Sequence, residues 1–179
     1  MADRAPTRLW AMRALFAALC AAVILWRLLP LDTLPPGWAG PDIIVALAFA
    51  WGLRRPEYAP PLLIGIAVLL ADLMFQRPPG LWAALVLLGS EALKTRAPGL
   101  RDLGFAPEWL AVATVTLAIT LMYRLTLAIL LVPQAPLGLS LMQMTMTVLC
   151  YPLIVFASAT LLGVRKARPS EGGGRRLRI

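Results

Sequence analysis

Between Asp42 and Arg54 the chain carries no charged residue, and between Glu57 and Asp72 it again carries none. The two apolar runs are joined by Arg54-Arg55-Pro56, and the second is closed by Gln76-Arg77-Pro78-Pro79-Gly80 just before Trp82. Proline starts or stops helices, because it lacks the amide donor and crowds the preceding turn. Residues 41–82 therefore read as two short helices joined by a tight basic turn. Their sides are too apolar for water, so the stretch is a membrane hairpin.

The rest of the chain must accommodate that hairpin. Of 179 residues, 60% are hydrophobic and the mean hydropathy is +0.77, more apolar surface than so few charged residues can cover. A spanning helix needs about 20 apolar residues, so the length allows about six spans with short loops. The expected fold is an all-α integral membrane protein, with a six-helix transmembrane domain over residues 1–165 and a basic, flexible cytoplasmic tail over 166–179. The formal charge of +8 is carried by loops and tails beside apolar runs, the pattern of membrane topology; a nucleic-acid surface would need a stripe on a soluble face. No nucleic-acid partner is expected.

Proline and glycine mark nearly every boundary. A first helix over residues 15–31 follows Arg4, Arg8 and Arg13 and reads as an uncleaved anchor. Further helices are expected over 41–53, 61–75, 81–93, 108–132 and 137–163, with Pro152 bending the last. Lys and Arg fall on alternate connections, which puts both termini in the cytoplasm of an inner, cytoplasmic membrane. The second, third and fourth helices are short: about 13 residues cover only about 20 Å of a hydrocarbon core about 30 Å thick. Either the bilayer thins there or neighbouring protein buries their ends.

Polar residues inside apolar runs are expensive and therefore informative. Asp72 and Arg124 are expected at similar depth, paired directly or through water. Asp42, after Gly40-Pro41, suits a helix N-cap. Glu91 and Lys94, three apart, suit a local pair. Ala14, Ala18 and Ala22 form a small-residue stripe at four-residue spacing, a candidate docking face for another helix. Arg54 and Arg55 are candidate cytoplasmic contacts. Cys20 and Cys150 lie in apolar runs and read as small hydrophobes, not as a disulfide. The sequence has no histidine, no zinc spacing and no phosphate-binding loop, so no catalytic, cofactor or metal site is expected.

The Pro41-Asp42 start, Trp51, the Arg54-Arg55-Pro56 turn, Gly65, Asp72 before a Pro-Gly break and the long last two helices resemble MreD, the small multispanning protein of the bacterial rod-shape system. The resemblance covers residues 8–165 and is closest to the alphaproteobacterial branch. It implies a non-enzymatic subunit of the cell-elongation complex, acting with MreC, MreB, RodA and a penicillin-binding transpeptidase in contact with membrane lipid. It also implies a fold similar to the substrate-capture S-components of energy-coupling-factor transporters, in which an alanine stripe on the first helix docks a membrane partner. One departure is Val68, where many relatives carry glycine, which bears on how closely the third helix packs. The alternative function is a substrate-capture subunit of a small-molecule transporter, distinguished by a roomy polar cavity open to the outside.

Overall fold

The computed structural model describes residues 4–29, 37–101 and 103–164. Asp32, Asp102 and the expected tail 166–179 lie outside them. The described residues form six α-helices and no strand: α1 (Arg4–Leu28), α2 (Ile43–Arg54), α3 (Pro61–Met74), α4 (Leu81–Arg101), α5 (Phe105–Ile129) and α6 (Leu137–Leu161). Three segments, Thr7–Leu28, Phe105–Ile129 and Leu137–Leu161, are long and apolar enough to cross a bilayer. Large side chains on these helices, among them Leu110, Leu121, Leu153 and Phe156, are exposed. Lipid, not water, is the solvent that suits such a surface.

The core is built around the shortest helix. Every residue from 44 to 53 is buried, because α2 packs against α1, α3, α4 and α6. At 12 residues it is only about 18 Å long. Enclosure by protein explains how so short an apolar helix is accommodated. Trp51, fully buried, meets Phe16 of α1 at 5.4 Å between ring centroids. Its indole Nε1 donates to Ser158 Oγ of α6 at 3.1 Å. α3 lies against α4, α4 against α5, and α5 against α6. α1 touches only α2 and α3 among the principal contacts, so it lies at the margin of the bundle.

The helix boundaries depart from expectation in three places. α1 begins at Arg4, inside the basic run, and not at residue 15. α4 does not stop near residue 93; it continues to Arg101 through Pro98. The Glu91–Lys94 pair, closed at 2.9 Å, and the bond from Lys94 Nζ to the Ala59 carbonyl at 2.9 Å support the added turns. α5 starts at Phe105, one turn before Glu108. The close approach of α4 to α5 runs through Gly89, not the third helix: a Cβ there would stand 2.9 Å from a Val115 methyl and 3.3 Å from one of Ile119. Val68 is buried, and a Cβ on Gly65 would meet nothing nearer than 3.9 Å.

Candidate functional site

One end of the bundle is assembled from the α3–α4 and α5–α6 connections and the start of α2. α3 ends in a Schellman turn: Gln76 takes φ +54°, Gln76 N donates to Leu73 O at 3.4 Å, and Arg77 N donates to Asp72 O at 2.9 Å. This turn satisfies the last carbonyls of α3 and carries Arg77 to the bundle end. Gly80, at φ +86°, then lets the chain enter α4. The first amides of α4 have no partner in their own helix. The Ala83 amide finds one in Asp72 Oδ2, at 3.0 Å. Asp72 thus caps the next helix from the side, fully buried, with Oδ1 lacking a hydrogen-bond partner.

The expected direct pair of Asp72 with Arg124 is not formed. Asp72 is held by the Ala83 amide of α4, which the Pro-Pro-Gly turn brings back onto it. Arg124 instead donates from Nη1 to Ser140 Oγ at 2.6 Å and to the Ala135 carbonyl at 3.0 Å, both neutral oxygens. The carboxylate with an arginine partner at this end is Asp42. It N-caps α2, with Oδ1 accepting from Val45 N at 3.3 Å. Its Oδ2 lies 3.3 Å from Arg77 Nη1, and its own amide donates to Thr147 Oγ1 at 2.8 Å. The guanidinium of Arg77 lies against the rings of Phe75 and Trp82, at 5.6 and 5.7 Å from their centroids. Arg27, from the end of α1, also approaches the Phe75 ring, at 5.5 Å, and donates to the Pro41 carbonyl at 2.6 Å.

These groups border a cavity of about 580 Å³. Its polar walls include Asp42, Arg77, Arg124, Tyr123 and Gln143; Leu127 and Met144 contribute apolar surface. The volume is within the range of small-molecule pockets. A wider cleft between the end of α1 and α3 shares Gln76, Arg77 and Gln143 with it.

The opposite end holds a second buried cluster that sequence reasoning missed. Glu108 in the first turn of α5 is 1% exposed. Its Oε1 lies 3.3 Å from Arg54 Nη2 and accepts from the Tyr151 hydroxyl of α6 at 2.8 Å. Three helices are joined by one carboxylate. The available signal was an acid in the first turn of an apolar helix, which reads equally well as a surface residue favoured by the helix dipole. Arg54, expected as a cytoplasmic contact, is turned into the bundle with 11% of its side chain exposed. Arg55 keeps more exposure and bonds Glu57 at 3.3 Å. Glu91 stands beside Lys94, as its spacing requires. Ala14, Ala18 and Ala22 are all exposed on the outer side of α1.

The two clusters join helices to one another, α2 to α5 and α6 at one end and the start of α2 to α6 and the α3–α4 turn at the other. Among the described residues no three His, Cys, Asp or Glu side chains gather where they could hold a metal ion. Asp42, Asp72 and Glu108 are each engaged by helix amides, arginine or tyrosine. No protein-family model, curated protein or solved structure matches the chain.

Proposed function

We propose that the chain is a non-enzymatic membrane scaffold of the bacterial cell-elongation complex, crossing the inner membrane six times with both termini in the cytoplasm. In this reading it binds an MreC-like partner and helps couple MreB filaments to RodA and its penicillin-binding transpeptidase. The supporting observation is the placement of α1. It lies at the margin of the bundle, and its Ala14, Ala18 and Ala22 face outward beside exposed Trp10, Leu25 and Trp26. Small residues let a second helix approach closely where lipid supplies no hydrophobic drive, and flanking large side chains pack around the contact.

The test is mild-detergent recovery of the tagged full chain from its native membrane, with mass spectrometry of what accompanies it. An MreC-like coiled-coil protein and cell-wall synthases are expected. A variant with Ala14→Leu, Ala18→Leu and Ala22→Leu should accumulate normally and lose that partner. A second reading, the substrate-capture subunit of a transporter, is favoured by the polar-walled cavity beside Arg124. Recovery of a transporter membrane subunit with paired ATPases would support it and displace the scaffold.

A further inference from the structure

The cavity beside Arg124 has more hydrogen-bond donors than the protein satisfies. Arg124 bonds through Nη1 alone, so Nε and Nη2 have no hydrogen-bond partner among the described residues. It stands five residues before Ile129, the last of α5, about 7–8 Å below the helix end. A guanidinium at that depth is costly unless an anion or water meets it. Neither the backbone carbonyl nor the serine supplies that charge.

Its neighbours increase the excess. Trp82 lines the cavity, and its buried indole N–H has no acceptor. Tyr123 lines the same space, with its ring packed edge-on to Trp82 at 5.2 Å between centroids, and its hydroxyl makes no hydrogen bond with a described residue. The hydroxyls of Thr116, Thr120 and Thr147 also line the cavity, but each donates to the carbonyl four residues back in its own helix. Among the described residues that line the space the carboxylate is Asp42, and it is matched by Arg77 at 3.3 Å. Asp72 stands close to Arg77 as well, whereas the partners of Arg124 are both neutral oxygens, so among the described residues its charge meets no carboxylate within ion-pair distance.

We propose that this cavity is a binding site for a phosphate-bearing ligand of net negative charge, which a zwitterionic choline headgroup lacks, with the phosphate on Arg124, assisted by Arg77 and the Tyr123 hydroxyl. A guanidinium fork matches phosphate oxygens in pairs. Leu127 and Met144 supply the apolar wall for whatever the phosphate carries. The adjoining cleft, lined by Leu19, Val23, Ile43 and Met74, begins at the shared residue Arg77 and offers a path for an acyl chain. The same chemistry is presented by an anionic lipid headgroup and by a soluble phosphate. The site stands whether the molecule is a scaffold or a capture subunit.

The experiment is native mass spectrometry of the full chain in mild detergent, titrated in separate arms with phosphatidylglycerol, phosphatidylcholine, and inorganic phosphate. Saturable binding of one phosphatidylglycerol, at least ten-fold tighter than phosphatidylcholine, identifies a lipid headgroup; saturable binding of phosphate alone identifies a soluble anion. Arg124→Gln should weaken either at least ten-fold, and Arg96→Gln, on an exposed stretch of α4, should leave it unchanged. Met144→Trp, which fills the cavity and keeps every charge, should also abolish binding and serves if Arg124→Gln does not accumulate. The proposal is overturned if neither phosphate source binds saturably, if phosphatidylcholine binds as tightly as phosphatidylglycerol, or if a folded Arg124→Gln or Met144→Trp protein binds like the wild type.

Discussion

At the scale of single residues, burial decides which polar groups matter. Glu108 and Arg54 are both largely removed from solvent, so deleting one leaves the other's charge in a poor environment. Removing one member of a buried ion pair typically costs about 3–5 kcal/mol, whereas replacing both by apolar residues is often close to neutral. Arg54→Met should therefore lower the detergent unfolding temperature sharply, and Arg54→Met with Glu108→Met should recover most of it. Tyr151→Phe removes only a hydrogen bond and should cost no more than about 1.7 kcal/mol, the upper value for hydrogen bonds between membrane helices, whose average is about 0.6 kcal/mol. Asp72 calls for a different pattern because it serves as a cap. Asp72→Asn keeps an acceptor for Ala83 N, while Asp72→Ala loses it and should cost about 1–2 kcal/mol. Exchanging Asp72 and Arg124 should be worse than either single substitution, since each has its own partners.

At the scale of elements, the most instructive contact joins α5 to α6. Pro152 lies inside α6 and has no amide to donate to the carbonyl four residues before it, that of Val148. The Trp109 indole Nε1 donates to that carbonyl at 2.9 Å. A side chain of one helix thus completes the backbone of another, one of the ways an interior proline is tolerated in a helix that suits lipid. Trp109→Phe should cost about 1 kcal/mol in the native background. In a Pro152→Ala background, where α6 has its own amide donor again, the same change should cost much less. A double-mutant cycle by thermal unfolding measures the difference, and equal costs would refute the coupling. Gly89 is the tightest point between α4 and α5. Gly89→Ala should destabilise by about 1–3 kcal/mol, because the Val115 methyl at 2.9 Å belongs to a β-branched side chain with little freedom to move.

At the scale of the whole molecule, the ends of the bundle differ in character. One holds Glu108 with Arg54, Lys94 with Glu91, and Arg13 bonded to the Glu57 carbonyl; the other holds the cavity with Arg77, Arg124 and Asp42. The proposed six-span topology sets the first at the cytoplasm and the second outside. In a chain lacking Cys20 and Cys150, Glu57→Cys should resist a membrane-impermeant maleimide in intact spheroplasts, and Gly138→Cys should react. The opposite pattern would invert the orientation, and labelling of both would contradict the three spans, α3 to α5, that separate the two positions.

Short-range features of this chain are legible without coordinates because they depend on spacing along one strand of backbone. Proline and glycine mark the limits of α2 and α3, Asp42 stands where a helix start needs an acceptor, and Glu91 and Lys94 face each other because they are three apart on a helix. The sequence by itself also determined that much of the chain suits lipid, from uncharged runs too apolar for water. What it left open depended on the rotation and depth of each helix against the others. Asp72 was legible as a costly buried acid but not as the cap of α4, since its partner is a backbone amide placed by the turn. The partners of Glu108 and Trp109 emerge only when α5 is set against α6. Only the tertiary structure decided that α2 is enclosed, that Arg54 points inward and that Arg124 borders a cavity. Each is a contact between residues far apart in sequence, and the distance between two helix faces is not written in the period of either.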